Sequence, residues 1–237
     1  MQKQLFKSLF GGVMALLIYA QPSQALDNDL TLYLWGAGLS GQATLGQQTI
    51  PEQPVEVDFD DILDKLDAGF QAHYEGTGER WGLGLDFTYL KISDTNDADV
   101  SATTKMTLSE LFGIYKASQV FDLFAGVRFT GLDMSVETPG QASAEGDRSL
   151  TDFFGGGRFI VPLSDSWNLG LRGDIGTGDT DLVWNAVAAL DWHVSKSIAL
   201  RGGYRWLDYD LENDDAPIEA KLDLLMDGPF LGIGFMW

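Results

Sequence analysis

The stretch Trp81-Gly-Leu-Gly-Leu-Asp-Phe-Thr-Tyr-Leu-Lys91 decides the fold. Its odd positions, Trp81, Leu83, Leu85, Phe87 and Tyr89, are apolar or aromatic, and its even positions, Gly82, Gly84, Asp86 and Thr88, are small or polar. A period of two places unlike residues on the two faces of one β-strand. The same alternation returns along the chain. Phe121, Leu123, Ala125, Val127 and Phe129 oppose Asp122, Gly126, Arg128 and Thr130, and Trp167, Leu169, Leu171 and Ile175 oppose Asn168, Gly170, Arg172 and Asp174. Leu182, Trp184, Ala186, Ala188, Leu190 and Trp192 oppose Asn185, Asp191 and His193; Ile198, Leu200, Tyr204 and Trp206 oppose Arg201, Gly203 and Arg205. Leu231, Ile233, Phe235 and Trp237 close the series against Gly232 and Gly234.

Read this way, the chain contains about ten strands, near 30–44, 67–76, 80–92, 101–117, 120–136, 149–161, 167–176, 182–194, 197–210 and 219–237. In the fourth, Met106 and Leu108 keep one phase while Leu111 and Tyr115 keep the other, which predicts a bulge near Ser109-Glu110. Most of these segments exceed both the usual 5–6 residues of a globular strand and the roughly 9–11 that cross a bilayer at a tilt. The connections at 75–80, 117–119, 161–166 and 195–196 are short, and the alternate ones at 45–66, 93–100, 137–148, 177–181 and 210–218 are mostly longer and acidic. That asymmetry is the habit of outer-membrane barrels, with both termini on the short-turn side.

The solvent of each face follows from its chemistry. A water-soluble, lipocalin-like barrel or a sandwich would bury the apolar face and show water the other one, yet that other face is rich in Gly and poor in Lys. Trp81, Trp167, Trp192 and Trp237 fall near short turns, and Trp184 and Trp206 near long loops. With Trp35 they form the set expected to anchor at the headgroup level of a bilayer. A closed barrel satisfies every backbone polar group inside hydrocarbon, which an open sheet does not.

Composition agrees. The 237 residues are 45% hydrophobic and include 28 Gly and no Cys, with 15 Lys and Arg against 35 Asp and Glu for a formal charge of −20. Absence of Cys excludes disulfide scaffolds, Cys-based zinc sites, iron–sulfur clusters and thiol catalysis. The acidity excludes nucleic acid as a partner, because phosphate must be neutralised by Lys and Arg. Residues 1–25 read as a cleaved signal peptide: Lys3 and Lys7, an apolar run over 8–20, then Ser23-Gln24-Ala25. The expected mature domain is 26–237, a single transmembrane barrel.

The last strand, Gly-Pro-Phe-Leu-Gly-Ile-Gly-Phe-Met-Trp (228–237), ends on an aromatic residue. It resembles the assembly signal of bacterial outer-membrane proteins, and the mature chain looks like a member of the OmpA-type or porin-like β-barrel superfamily. The resemblance implies a closed antiparallel up-and-down barrel in the outer membrane of a Gram-negative-type cell. It also implies export through the periplasm, and Phe235 and Trp237 as the signal read by the barrel-assembly machinery. The smallest such barrels have eight strands, the alternative to ten. Outer-membrane lipid and lipopolysaccharide are the implied surroundings, and a monomer the expected state.

Inside such a barrel the candidate charges are Asp86, Asp122, Arg128, Asp152, Arg158, Arg172, Asp174, Asp191, Arg201 and Arg205, joined by Glu110. Cross-strand Arg–carboxylate pairs would fill a narrow lumen and lock register. The same charges would tune selectivity if the lumen conducts small solutes or ions. A structural or porin-like role competes with a surface-interaction role of the adhesin or receptor kind, and an outer-membrane lipid- or peptide-hydrolysing enzyme is the third, less favoured reading.

A short helix is expected in the first long loop, capped by Asp58, with Phe59, Ile62, Leu63 and Leu66 on one stripe. The acidic loop residues Asp94, Asp97, Asp99, Asp179, Asp181, Asp208, Asp210, Glu212, Asp214 and Asp215 are read as solvated charge. They are less readily read as Ca²⁺ or Mg²⁺ ligands, since no D-x-[DN]-x-[DN]-G loop occurs. No catalytic residues, metal site or cofactor are expected. The sole histidines, His73 and His193, sit at the short-turn rim, and neither a G-x-S-x-G elbow nor H-E-x-x-H is present. Gly36-Ala-Gly38-Leu-Ser-Gly41 matches G-x-G-x-x-G but lies inside a strand and opens no helix.

Overall fold

A computed structural model describes residues 26–45, 55–57, 66–95, 101–137, 143–213 and 220–237. Its strands are β1 (Asp27–Trp35), β2 (Gly38–Leu45), β3 (Val55–Val57), β4 (Leu66–Thr77), β5 (Trp81–Thr95) and β6 (Ser101–Lys116). They continue as β7 (Phe121–Glu137), β8 (Ala144–Pro162), β9 (Trp167–Gly178), β10 (Leu182–His193), β11 (Ile198–Asn213) and β12 (Ala220–Met236). From β4 onward each strand pairs antiparallel with the next, and β1 closes the ring by pairing with both β4 and β12. With β1 and β2 as two halves of one wall, this is a closed ten-stranded up-and-down barrel. The ten-strand expectation, rather than eight, holds.

The split in the first wall has a local cause. β1 pairs with β12 from Asp29↔Met236 to Trp35↔Phe230, and β2 resumes in the same register from Gly38↔Asp227 to Leu45↔Ala220. Between them Gly36 and Ala37 face Pro229, which has no N–H for the ladder. Gly36 N still donates to Pro229 O at 2.8 Å. Opposite, Gly228 lies so close that an added Cβ would sit 1.9 Å from the Gly36 carbonyl oxygen. On its other edge β2 carries the short β3, and β1 meets β4 only from Asp27↔Thr77 to Leu32↔Ala72.

Side chains sort as the alternation requires. Leu34, Phe70, Trp81, Phe153, Ile175 and Leu231 stand exposed on the outer wall, and every expected lumen charge points inward. Three expectations need correction. No bulge occurs in β6, which pairs in unbroken register from Trp81↔Tyr115 to Thr95↔Ser101. Leu108, Phe112 and Ile114 instead point inward with Glu110, because this lumen is partly apolar. The one register irregularity in this part of the wall lies between Leu66 and Ala68 of β4. Trp35 is the second correction. It shares the inward phase of Thr31 and Tyr33, is 5% exposed, and lies under the Arg205 guanidinium rather than in the membrane interface. Third, Leu66 starts a strand opposite Ile92 instead of completing a helical stripe. Phe59, Ile62 and Leu63, like the signal peptide, lie outside the described residues.

The inward glycines are explained by their neighbours. Phe112 faces Gly84 on one side and Gly126 on the other. A Cβ at Gly84 would fall 2.2 Å from the Phe112 ring, and one at Gly126 would fall 2.2 Å from the Leu111 carbonyl oxygen. Gly126→Ala is therefore expected to cost about 1–3 kcal/mol through overpacking. Gly113→Ala, on the outer face with nothing within 4 Å of its new Cβ, should shift stability by less than about 0.5 kcal/mol. Urea unfolding of protein refolded into lipid vesicles measures both.

Candidate functional site

The lumen is organised in three tiers, counted upward from the short-turn ends of the strands. The tier nearest the long loops is apolar: Trp35, Leu108, Val183, Leu207, Tyr209 and Met226 pack together with Met106 and Leu224. Leu108, Val183 and Leu207 are fully buried. Five strands, β1, β6, β10, β11 and β12, contribute these residues, so the cluster spans the lumen. Thr130 Oγ1 of β7 and Tyr209 OH, 2.8 Å apart, tie a further strand to it.

The middle tier is a dense ion network around Glu110 and Asp174. Arg128 Nε donates to Glu110 Oε1 at 2.9 Å and its Nη2 to Asp174 Oδ1 at 2.7 Å. Arg172 repeats the bridge from the other side, Nε to Asp174 Oδ2 at 3.0 Å and Nη2 to Glu110 Oε2 at 2.8 Å. Asn185 donates to Asp174 Oδ2 at 2.8 Å and accepts from Arg205 Nε at 3.0 Å. Arg205 also lies 3.6 Å from Asp86, which accepts from Tyr33 OH at 3.0 Å. The cations stack on rings as well. The Arg172 guanidinium is 4.7 Å from the Phe124 centroid and 5.2 Å from Phe112, and Arg128 is 4.7 Å from Phe154. Such stacking stabilises a desolvated cation without another anion.

The lowest tier is looser. Arg158 donates from Nε to Asp122 Oδ2 at 2.9 Å and grips Glu75 with both Nη atoms. His73 sits between two carboxylates, Nδ1 3.0 Å from Asp86 and Nε2 3.0 Å from Glu75. Arg201 forks onto Asp29, with Nη1 to Oδ1 at 2.7 Å, while Asp191 lies 3.5 Å from its Nε. His193 Nε2 meets Asn168 Nδ2 at 2.9 Å. Here the packing leaves a cavity of about 260 Å³, bordered by the residues of a roughly 980 Å³ vestibule at the short-turn mouth. Asp29, Glu75, Arg158 and Ile160 line both.

The expected charges thus meet, though not all as cross-strand pairs. Arg158–Asp122 and Arg128–Glu110 are direct neighbours across a ladder. Arg128–Asp174 and Arg201–Asp29 instead skip a strand. Asp152 faces Arg128 in the ladder but turns away, accepting from Thr180 N at 2.9 Å and Thr180 Oγ1 at 2.7 Å to hold the turn into β10. Asp29 and Tyr33 were not anticipated as lumen groups, and Glu75, on the polar face of its strand beside His73, was not counted among the lumen charges. The shared phase of Asp29, Thr31, Tyr33 and Trp35 is the signal that marks them. Asp94, Asp208, Asp210 and Glu212 belong to strands, and Asp179 accepts from Thr151 N at 2.8 Å.

The outer wall carries paired rings at two levels. Trp167 stacks on Trp192 at 5.7 Å, Trp81 lies against Tyr115 at 4.8 Å, and Phe121 against Phe159 at 4.7 Å, all at the short-turn end. Higher up, Tyr204 packs on Trp206 at 4.6 Å.

No sequence-family description matches the chain, and no curated protein matches it. Among solved structures, the outer membrane protease OmpT from Escherichia coli is similar over 90% of this chain and 96% of that one, at 8% identity and a TM-score of 0.51. Ail, the attachment invasion locus protein of Yersinia pestis, covers 90% of this chain and 100% of its own at 9% identity and a TM-score of 0.45. The translocator domain of the autotransporter NalP from Neisseria meningitidis covers 99% and 94% at 12% identity and 0.41. The likeness to OmpT shows a common architecture: this chain has the fold of the bacterial outer-membrane β-barrels.

Arg128 and Arg172 both bridge Glu110 to Asp174, and Arg128 is the fully buried one of the two, so Arg128→Ala leaves two buried carboxylates sharing the one guanidinium of Arg172. The expected loss is about 3–5 kcal/mol in urea unfolding. Asp152→Asn, which keeps an acceptor for Thr180, should cost no more than about 1.5 kcal/mol.

Proposed function

We propose that the protein is a non-conducting outer-membrane barrel with a structural role, its lumen filled by its own side chains and its long loops displayed outside the cell. The observation carrying this reading is the apolar tier: Leu108, Val183 and Leu207, each with no exposed surface, meet across the lumen directly above the buried Arg128–Glu110–Arg172 network. A ten-stranded barrel is narrow, since diameter grows with strand number and wide aqueous channels take about 16 strands. Ions would have to cross an apolar layer and then break a dense, buried ion network.

Membrane residence is part of the same proposal. Trp81, Trp167, Trp192 and Trp237 ring the short-turn end of the outer wall, with Trp184 and Trp206 near the other end. Between them the wall presents Leu85, Leu171, Leu190 and Ile233. These suit headgroup and acyl-chain depths respectively. Phe235 and Trp237 suit recognition by the barrel-assembly machinery, and the termini then lie on the periplasmic side. Nothing in this role calls for catalysis, a cofactor or a metal.

Purified protein refolded into a planar bilayer should give no discrete current steps. A variant combining Trp35→Ala, Leu108→Ala and Leu207→Ala, checked for heat-modifiable migration as a sign of folding, should acquire small single-channel steps. Stable ohmic steps from the unmodified barrel would overturn the proposal.

A further inference from the structure

The lumen is asymmetric in a way that a purely structural barrel does not need. Above the middle tier the described residues Trp35, Leu108, Val183, Leu207, Tyr209 and Met226 pack together, whereas below it the roughly 260 Å³ cavity stays open toward the short-turn vestibule. At about 30 Å³ per water, that is room for eight or nine waters, or for one small organic molecule just under the usual size range of ligand pockets. Small residues keep the space. Gly170 faces Ala189 across the β9–β10 ladder, and a Cβ added at Gly170 would find its nearest neighbour only at 3.9 Å, the Ala189 Cβ.

The polar groups around this space are unequally satisfied. Arg158 uses all three of its nitrogens on Asp122 and Glu75, and Arg201 has both Nη atoms on Asp29. Asp86 is taken by Tyr33 and His73. Asp191 has only the Arg201 Nε at 3.5 Å, beyond a good hydrogen bond, and that Nε is itself buried without a hydrogen-bonded acceptor. The cavity therefore offers one carboxylate with spare acceptor capacity. Facing it are apolar surfaces from Val187, Ala189 and Ile160 and the rings of Phe124 and Phe230. An anion gains less there, because Arg158 and the Nη atoms of Arg201 are already on Asp122, Glu75 and Asp29, and the one open donor, Arg201 Nε, faces Asp191.

We infer that the short-turn half of the lumen is a binding cup for a small primary amine with an apolar or aromatic body, its ammonium on Asp191 and its body against Val187, Ala189 and Phe230. The ligand enters through the vestibule, which is the periplasmic side if the orientation proposed above holds. The closed apolar tier makes the cup a dead end, so the inference adds binding to that reading rather than passage.

Phenethylamine serves as the probe, with 3-phenylpropionate as its counterpart of opposite charge, by isothermal titration calorimetry on the full mature chain in lipid nanodiscs. The expected result is one site for phenethylamine and at least tenfold weaker binding of 3-phenylpropionate. Asp191→Asn should weaken the amine at least tenfold. Gly170→Leu, which fills the space without touching any charge, should do the same while urea unfolding stays within about 1 kcal/mol of the parent. No heat of binding, equal binding of the two probes, or amine binding indifferent to both variants would each overturn the cup. A silent bilayer with no amine binding removes the cup alone, and a conducting bilayer removes the closed-barrel reading whatever the amine does.

Discussion

In a barrel set in hydrocarbon, as proposed here, a guanidinium has only one place to go, and the ten strands leave little room there. Moving an ion out of water costs several kcal/mol even after relaxation, so the inward arginines persist only by sharing anions. Glu110 receives Arg128 and Arg172 directly and lies 3.5 Å from Arg205, while Asp174 receives the first two and Asn185. The contributing groups come from β6, β7, β9, β10 and β11. Apart from Arg172–Asp174, which lies within β9, each ion pair is therefore also a strut between walls, and a register slip in any one strand would turn its charge to the outer face.

Packing around this network accounts for the uneven spread of glycine. Phe112, Phe124 and Phe154 form a ring cluster beneath the arginines, and the strands beside Phe112 give way at Gly84 and Gly126. Elsewhere a bulky partner is missing, as between Gly170 and Ala189, and the space remains as cavity. Apolar side chains meeting above the ion network, and the gap left between Gly170 and Ala189 below it, divide a single lumen into a closed upper part and an open lower part.

Much of this was legible in the residues. Period-two alternation over segments such as 81–91 and 182–192 marked strand number, strand faces and the lumen-facing charges, because successive residues of a strand point to opposite faces of the wall. The same rule failed as a guide inside. A lumen accepts apolar and polar groups alike, so Leu108 set against Leu111 and Tyr115 looked like a change of phase when it was part of the inward apolar tier. Trp35 looked like a membrane anchor because tryptophan was read by type, whereas its phase with Thr31 and Tyr33 already placed it inward. Which cation meets which anion depends on side chains reaching over an intervening strand, as Arg201 does to Asp29. Sequence order does not encode that reach, nor the choice of Asp152 for Thr180 over Arg128.

The sorting of side chains between lipid and lumen is tested most directly by through-space NMR contacts. Leucine-methyl-labelled protein in nanodiscs should show cross-peaks from lipid acyl protons to outward Leu171, Leu190, Leu200 and Leu231, and none to inward Leu108 and Leu207. Acyl contacts at Leu108 or Leu207, or water contacts in place of acyl contacts at the outward set, would contradict it.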